Sequence, residues 1–489
     1  MKKLILSTII FLCLVSFSWA TTYTVGSGKD YETPALAAAG VPDNADHTII
    51  VDAGTYAGFT DSRSGAGPGY RHWLAEGTTS NTYGGFGTVT ITGSVFLRGD
   101  NIKFQGFTLN GVNPTNGNSV INIGNYVSDP GPDTGDNVWV TQCTIIDSYD
   151  TAVSTRGDNH IIERVEIDGM YADYDDGDCF RLWGHDNIVR QNYFHNVLSA
   201  RVGTSHVDFV QCWEGATRPD RNLTDSVIER NLVFMGNSDT GYILEASSAD
   251  ESRYGFMIGG TLRLTIRNNI IMAWGGMNQG ENGADPNTDL KVYNNTFITD
   301  ETNFTNNYAG SGFSQYAGST GAEVRNNIFI GFKYGPSEWT QERSATVIRL
   351  NNGAQSYTGT NNIFYVVSGV MSLEYPFTHL NLGEWQSTYS YETNSFIADP
   401  LFVDDYIGGS SVGNFNLTVD SPAKDVGYDL TGVVTDDFAG NSRPSGEGYD
   451  IGAYEYIGVG LPGDPGTIAG GGSGTIAGGG TGTIEGTEP

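Results

Sequence analysis

Three short segments of this 489-residue chain combine charged, amide and indole side chains within apolar stretches. These segments are DCFRLW at 178–183, DFVQCW at 208–213 and YILEAS at 242–247. When they are aligned, Arg181, Gln211 and Glu245 share one position, and strand alternation places that position away from the apolar interior. Trp183 and Trp213 stand beside it. An arginine, an amide and a carboxylate next to aromatic rings are typical of a surface that binds sugars.

Groups able to move a proton stand next to these segments. His206 precedes Asp208 by two residues, and Arg201 lies shortly before both. Histidine titrates near neutral pH, so His206 is a candidate general base or acid, with Glu245 as the alternative. In the aligned segments Asp178 and Asp208 form a second shared position. The five predicted catalytic residues are His206, Asp208, Glu245, Arg181 and Asp178, and the predicted substrate-binding residues are Gln211, Trp183, Trp213, Arg201 and Glu214.

One acidic run is a candidate calcium site. Asp173, Asp175, Asp176 and Asp178 lie within six residues, and hard cations such as Ca²⁺ prefer several carboxylate oxygens. The spacing differs from that of an EF-hand loop. A solvated acidic turn is the other interpretation of the same run.

A repeated phrase shows which elements must position these residues. An apolar run, a polar residue and a second apolar run recur at intervals of 22 to 39 residues. The phrase is rich in β-branched and aromatic residues, and no helical apolar period joins its copies. Repeats of this size indicate stacked units. The central positions are Gln105, Gln142, Arg164, Asn192, Asn231, Asn269, Asn295, Asn327 and Asn362.

These features predict an all-β chain folded as a right-handed parallel β-helix, with three short strands in each coil. Coils longer than about 22 residues would carry inserted loops. Asparagines at one bend could share side-chain amide hydrogen bonds from coil to coil. Neighbouring coils lie roughly 4.8 Å apart, so adjacent members of a column could contact the same sugar ring.

The ends of the chain have other compositions. Residues 1–20 read as a secretory signal peptide, and 21–60 as an amino-terminal cap that contains a short helix near 34–40. The β-helix proper is predicted over 61–394 and a closing segment over 395–457. A glycine-rich tail at 458–489 repeats Gly-Thr-Ile and predicts no packed structure.

Net charge limits the partners of this chain. The formal charge is −31, and loss of Lys2 and Lys3 with the signal peptide would bring it to −33. Such acidity disfavours nucleic acid and anionic membranes, and no further segment suits membrane insertion. We expect a monomer that is extracellular or periplasmic. A polyanionic substrate would require local positive charge or a bound cation. Cys143, Cys179 and Cys212 would remain, an odd number that favours core thiols over a disulfide framework.

Two stretches carry resemblances. The amino-terminal segment 22–59 resembles the opening of secreted pectate-lyase-like β-helix proteins, and DIGAYEY at 450–456 resembles the end of many bacterial extracellular right-handed β-helix proteins. DDGDCFRLWGHDN at 175–187 resembles the Asp-Asp-Cys segment of polygalacturonase-type hydrolases, which implies a catalytic role for Asp178. The Gly-His-Gly and Arg-Ile-Lys signatures of those hydrolases are absent.

The leading functional hypothesis is a secreted enzyme that acts on a polysaccharide, most favourably a lyase that cleaves a uronate-containing glycan by β-elimination. One alternative is a glycoside hydrolase, which would use two carboxylates among Asp178, Asp208, Glu214 and Glu245. A uronate epimerase would share the proton-abstraction step. The alternative from another class is a non-catalytic glycan-binding surface protein or adhesin.

Overall fold

The fold was analysed in a computed structural model. The described residues are 20–67, 69–78, 88–111, 119–124, 135–171, 176–202, 205–212, 222–237, 242–243, 253–279, 286–299, 311–316, 318–332, 347–350, 356–366, 373–374, 378–404 and 413–458. The predicted signal peptide (apart from Ala20) and almost all of the glycine-rich tail lie outside these residues. Among the described residues, no helix is both long enough and apolar enough to cross a membrane.

Three twelve-stranded sheets run along the length of the molecule. Strands are numbered in chain order. Sheet 1 contains β1 (Thr22–Val25), β2 (Thr48–Val51), β5 (Arg71–Ala75), β8 (Ile102–Gln105), β11 (Trp139–Thr141), β14 (Ile161–Glu163), β18 (Ile188–Arg190), β22 (Val227–Glu229), β27 (Thr265–Arg267), β30 (Lys291–Tyr293), β33 (Glu323–Arg325) and β36 (Thr358–Thr360).

Sheet 2 contains β4 (Thr60–Asp61), β7 (Val95–Leu97), β10 (Ile121–Ile123), β13 (Val153–Thr155), β16 (Asp176–Arg181), β20 (His206–Cys212), β26 (Tyr254–Ile258), β29 (Gly275–Gln279), β32 (Phe313–Gln315), β35 (Ile348–Leu350), β38 (Leu373–Glu374) and β39 (His379–Leu380). Its only antiparallel pair among the described strands is β38 with β39.

Sheet 3 contains β3 (Gly54–Ala57), β6 (Val89–Thr92), β9 (Thr108–Asn110), β12 (Thr144–Tyr149), β15 (Glu166–Tyr171), β19 (Tyr193–His195), β23 (Leu232–Phe234), β28 (Ile270–Met272), β31 (Thr296–Ile298), β34 (Ile328–Ile330), β37 (Ile363–Tyr365) and β40 (Phe396–Ile397). From β4 to β38 the strands of the three sheets follow one another in the order 2, 1, 3. The predicted parallel β-helix is therefore confirmed.

The remaining elements are short. Three two-stranded pairs lie outside the sheets: β17 (Gly184–His185) with β21 (Leu223–Thr224), β24 (Gly236–Asn237) with β25 (Tyr242–Ile243), and β41 (Phe402–Asp404) with β42 (Asn414–Leu417). The helices are α1 (Pro34–Gly40), α2 (Ser199–Val202) and α3 (Leu382–Tyr389). The first of them is the predicted helix of the amino-terminal cap.

The corner between sheet 1 and sheet 3 is two residues long in every coil from β8 to β37. Its first residue has a positive φ, as at Asn268 (53°) and Asn294 (54°), a conformation that asparagine tolerates better than most residues. Its second residue points inward. At six successive coils this second residue is Asn192, Asn231, Asn269, Asn295, Asn327 or Asn362.

These six asparagines form the expected ladder. In the first five of them, Nδ2 donates to Oδ1 of the asparagine in the next coil over 2.9 to 3.1 Å. The central positions of the three upstream copies of the phrase do not correspond to this ladder. Gln142 and Arg164 occupy the positive-φ position, and Gln105 ends β8. The inward position in those coils is apolar, held by Phe107, Cys143 and Val165.

The interior is a continuous apolar column with aromatic stacks. The rings of Phe297 and Phe329 lie 5.1 Å apart and nearly parallel, and Phe364 continues the stack at 5.8 Å. Cys143, Cys179 and Cys212 are buried free thiols, as expected, and burial is the main cause that raises the pKa of the Cys143 thiol to about 12.

The predicted closing segment lies along the outer side of sheet 3. Phe402, Phe415, Ala423, Ile451 and Tyr454 pack against the outward apolar residues of that sheet. These outward residues include Leu232, Ile270, Met272, Ile298, Ile328 and Ile363. The segment therefore covers one face of the β-helix.

Candidate functional site

From β8 to β37, the described variation in coil length occurs mainly at the two corners that flank sheet 2. The chain enters sheet 2 through long connections such as Phe234 to Tyr254 and leaves it through others such as Cys212 to Val227. From β8 to β37 the corner between sheets 1 and 3 stays at two residues, and sheet 3 is covered by the closing segment from Leu232 onward. Functional residues concentrate on loops carried by a rigid scaffold, which makes the outer face of sheet 2 the candidate site.

Strand pairing brings the predicted residues together on this face. Asp178 pairs with Asp208, and Arg181 pairs with Gln211, across the neighbouring strands β16 and β20. Asp176 pairs with His206 at the start of the same two strands. The two segments are therefore in the register that their alignment predicts.

The simple alternation of faces fails in both strands at the same place. Cys179 and Phe180 are consecutive, yet both are fully buried in the core, and Phe209 and Val210 repeat this pattern. The shift of one residue turns Asp178 to the same side as Arg181, although strict alternation would place it with Phe180. As a result, the aspartate and the arginine can bond to each other.

Two buried aspartates each hold one cationic or basic partner. Asp178 Oδ2 accepts a hydrogen bond from Arg181 Nε at 2.6 Å, and Arg181 keeps 27% of its side chain exposed while Asp178 is fully buried. Asp208 Oδ2 lies 2.9 Å from His206 Nδ1, and this aspartate is also fully buried. The ligand atoms of Asp178, His206 and Asp208 all lie within 4.8 Å of one another.

Backbone groups fix the two carboxylates. Asp208 Oδ1 accepts a hydrogen bond from the Tyr254 N–H at 2.7 Å, and Asp178 Oδ1 accepts one from the Asp208 N–H at 3.3 Å. The negative charge of Asp178 also affects the core. Burial, and after it this charge, raises the pKa of the Cys179 thiol. Burying charge is costly unless each charge is paired and hydrogen-bonded, which these contacts achieve.

The third member of the predicted column is wrong. The strand next to β20 in sheet 2 is β26, and Met257 is the residue paired with Gln211. Residues 242–243, which were expected to open that third segment, instead pair with 236–237 in an antiparallel hairpin. Glu245 itself lies outside the described residues, as do Trp213 and Glu214.

Two further predicted residues have other surroundings. Trp183 is 8% exposed, and the guanidinium of Arg156 lies 4.6 Å from its ring centroid, so it packs inside the turn that leaves sheet 2. Arg201 pairs with Asp147 and lies 4.8 Å from the ring centroid of Tyr171. Both of these partners belong to strands of sheet 3.

The acidic run is only partly described. Asp173 and Asp175 lie outside the described residues, and for Asp176 only the backbone is described. Asp178 is bonded to Arg181. The donors that meet in the described part of the site are one imidazole and two carboxylates, whereas calcium prefers an all-oxygen shell. Calcium at the predicted run stays a prediction.

Several residues of this face were not predicted from the sequence. Continuing the Arg181 column upstream, Ser154, Asn122 and Phe96 follow in successive strands. Arg98 lies two residues beyond Phe96. A search for arginine on the strand-like segments SVFLRG and AVSTRG (94–99 and 152–157) would have found Arg98 and Arg156.

Comparison with known proteins finds distant similarity to solved structures only. No model of a known protein family matches the chain, and no curated protein matches its sequence. Among solved structures it is similar to the pectate lyase Pel9A, with 13% identity, coverage of 90% of this chain and 96% of that one, and a TM-score of 0.47.

Two alginate lyases are also similar in architecture. A mannuronic acid specific polysaccharide family 6 lyase from human gut microbiota shows 11% identity over 78% of this chain and 92% of its own, with a TM-score of 0.40. The PL6 family alginate lyase AlyGC, solved as a variant, shows 13% identity over 82% of this chain, with a TM-score of 0.38. This chain spans 58% of the AlyGC chain.

Proposed function

We propose that this protein is a secreted polysaccharide lyase that cleaves a uronate-containing glycan by β-elimination. The similarities to solved structures concern the fold, so the proposal rests on the residues of sheet 2. The main observation in its support is that, of the charged groups described next, the one exposed to solvent is positive. In a chain with a net charge of −31, the two aspartates of this face are fully buried, whereas Arg181 remains partly exposed. Local positive charge is what a polyanionic substrate requires.

In this mechanism Arg181 binds the carboxylate of the sugar whose ring proton is removed. Its guanidinium neutralises that carboxylate and stabilises the negative charge that develops beside it when the adjacent carbon loses its proton. Asp178 is a positioning residue, because its bond to Nε fixes the direction of the guanidinium. Gln211, paired with Arg181 one coil further, supplies an amide for a sugar hydroxyl.

His206 is the proposed base. With Nδ1 2.9 Å from Asp208 Oδ2, the imidazole can present Nε2 to the proton on the carbon next to the carboxylate, and in the proposed reaction Asp208 orients the ring. As the proton moves to His206, the bond between the neighbouring carbon and the glycosidic oxygen breaks. Its electron pair leaves with that oxygen, which takes up a proton, and a carbon–carbon double bond remains in the other product.

The buried state of the aspartates disfavours hydrolysis by this pair. A glycosidase needs one carboxyl group at the glycosidic oxygen and a second at the sugar carbon or its attacking water. Asp178 and Asp208 have no exposed surface and are committed to Arg181, His206 and backbone donors. They suit the positioning roles of a lyase better than direct contact with a sugar.

A polysaccharide panel tests the proposal. Purified protein should release unsaturated products, detected by ultraviolet absorbance, from at least one polyuronate and from no neutral glycan. Reducing ends without unsaturation would instead indicate a hydrolase, and binding without either product would indicate a glycan-binding protein. The same assay with a chelator tests the predicted calcium, since loss of activity that added Ca²⁺ restores would support it.

Substitution of the base provides the second arm of the test. His206→Ala should lower turnover of the active substrate by about 10²-fold or more, the usual scale for a general base. Removing His206 leaves the buried Asp208 carboxylate without its basic partner, so the melting temperature should fall, and turnover is compared at a temperature at which circular dichroism shows the variant to be folded. Full activity in this variant would exclude His206 as the base.

A further inference from the structure

The outer face of sheet 2 continues upstream of Arg181 for three more coils, and the most distant one carries a second arginine. The pairing Arg181–Ser154–Asn122–Phe96 defines one column across β16, β13, β10 and β7. Arg98 follows Phe96 by two residues and therefore lies on the same face. Three steps between parallel strands correspond to roughly 14 Å.

Phe96 and Arg98 form a stacked pair. The guanidinium carbon of Arg98 lies 5.0 Å from the ring centroid of Phe96, and both residues are half-buried. Among the described residues Arg98 has no carboxylate within ion-pairing distance, and its buried Nε has no hydrogen-bond partner. The other arginine of this column, Arg181, is paired with Asp178. Because the chain is so acidic, a partly exposed arginine with no acidic partner among the described residues is unusual.

The two residues that lie between the arginines, Asn122 and Ser154, have short side chains. Asn122 and Ser154 are polar, nearly buried, and bonded to each other, since Ser154 Oγ donates to Asn122 Oδ1 at 3.4 Å. Asn122 also donates from Nδ2 to the Ser119 carbonyl at 2.7 Å. Between the two arginines the surface is therefore polar and made of short side chains. This profile suits a linear chain of sugar rings that runs across the coils, with one guanidinium near each end.

From this profile we infer that Phe96 and Arg98 form a remote subsite for an acidic sugar, which binds the substrate about three coils away from the bond that is cleaved. Arg98 binds the sugar carboxylate with its planar guanidinium. Phe96 holds the guanidinium in place and offers its remaining surface to the apolar side of the ring. This inference rests on the proposed function for the identity of the polymer, and it adds the residues that select long acidic chains over short ones.

The test is a binding measurement in the His206→Ala background, where the proposed base is absent and the ligand is not consumed. Calorimetric titration would use a disaccharide and a hexasaccharide prepared from polygalacturonate and from alginate. Arg98→Ala should weaken binding of the acidic hexasaccharide by about tenfold or more, as expected for loss of a charge-assisted hydrogen bond. Binding of the disaccharide should not change, because it is too short to reach both arginines.

Three further variants sharpen the result. Arg98→Lys keeps the charge without the planar pair of donors and should recover only part of the affinity. Phe96→Leu keeps an apolar residue but removes the ring, and should weaken the hexasaccharide less than Arg98→Ala does. Lys291→Ala removes one positive charge from β30 on sheet 1, away from the site, and should have no effect on either ligand.

Two failures can be told apart. If Arg98→Ala binds the hexasaccharide as well as its parent does, while Arg181→Ala binds it less well, the subsite is wrong and the proposed function stands. If no acidic oligosaccharide binds the His206→Ala protein and the unaltered protein cleaves no polyuronate, the proposed function fails and the subsite fails with it. Dependence on Arg98 that appears only with a sulfated hexasaccharide would overturn the assignment of a uronate.

Discussion

At the scale of single residues, Asp178 and Asp208 show how two aspartates in paired positions can have different tasks. They face each other across β16 and β20, both are buried, and each has one oxygen bonded to a backbone N–H. They differ in the second oxygen, which holds Arg181 in one case and His206 in the other. Sequence spacing alone does not reveal this difference, because the one-residue shift at Phe180 and Val210 decides which side chains meet.

Matched substitutions should separate these two tasks. Asp208→Asn removes the charge that orients the base and should lower kcat by about 10²-fold with little change in KM. Asp178→Asn loosens Arg181 and should mainly raise KM, by about tenfold, more for an acidic glycan than for its methyl ester. Steady-state kinetics on the active polyuronate measures both. The division of roles would be contradicted if Asp208→Asn and Asp178→Asn lost kcat equally, or if their only effect were a loss of folding.

At the scale of an element, the asparagine doublets of the corner between sheets 1 and 3 have two functions. The second asparagine builds the internal ladder, while the first turns outward and bonds to the closing segment. Asn294 Nδ2 donates to the Asp450 carbonyl at 2.8 Å, and Asn326 Nδ2 donates to the Tyr428 carbonyl at 2.9 Å. One repeated dipeptide therefore stabilises the stack and fastens the segment that covers it.

Adjacent substitutions should distinguish these functions. Asn295→Ala leaves the backbone N–H and the Nδ2 of Asn269 without their acceptor and should lower the free energy of unfolding by about 3 kcal/mol. Asn294→Gly keeps the positive φ and removes the side-chain bonds to the Asp450 and Gly452 carbonyls and to Asn326, and should cost about 1 kcal/mol while making the closing segment more sensitive to protease. Chemical denaturation and limited proteolysis measure the two effects. Equal costs with unchanged proteolysis would show that the outer asparagine does not fasten the segment.

The sequence identifies the inward residue of this corner where that residue is an asparagine, but not where it is apolar. The ladder from Asn192 to Asn362 was predicted because an inward asparagine among apolar residues is conspicuous. Upstream, where Val165 and its counterparts are apolar, the sequence does not mark the inward position. The predicted column fails at its third member, since YILEAS has the composition of a strand while the hydrogen-bonded neighbour of β20 is β26. Composition identifies strands, but pairing decides which of them join a sheet.

At the scale of the whole molecule, each face of the β-helix has its own role. The closing segment covers sheet 3 from Leu232 onward, and from β8 to β37 sheet 1 meets sheet 3 at a corner of constant length. Over these coils the long connections flank sheet 2, where the predicted groups converge. The closing segment is itself held by a buried ion pair, in which Arg443 Nη1 lies 2.6 Å from Glu455 Oε1. Its stability is therefore linked to the charges that lie beside this pair.

The charge of Asp450 should make stability depend on pH. Burial, followed by repulsion from Glu455, raises the pKa of Asp450 from 3.8 to about 6, although the N–H groups of Tyr456 and Asp425 act in the opposite direction. An acid whose pKa is higher in the folded protein binds more protons there than in the unfolded chain. Between about pH 4 and pH 6 the free energy of unfolding should therefore fall as pH rises, by roughly 3 kcal/mol in total from this group.

Because other carboxylates also titrate in this range, the measurement is a difference between variants. Denaturation curves of the unaltered protein and of Asp450→Asn should be compared between about pH 4 and pH 7. The unaltered protein should lose stability relative to the variant as pH rises, because the asparagine cannot acquire a buried charge. Asp420→Asn, an exposed change in the same segment, should leave the pH dependence as it is. If the stability of the unaltered protein and of Asp450→Asn changes with pH in the same way, Asp450 carries the same charge in the folded and the unfolded chain. Any pH dependence of the closing segment would then come from other groups.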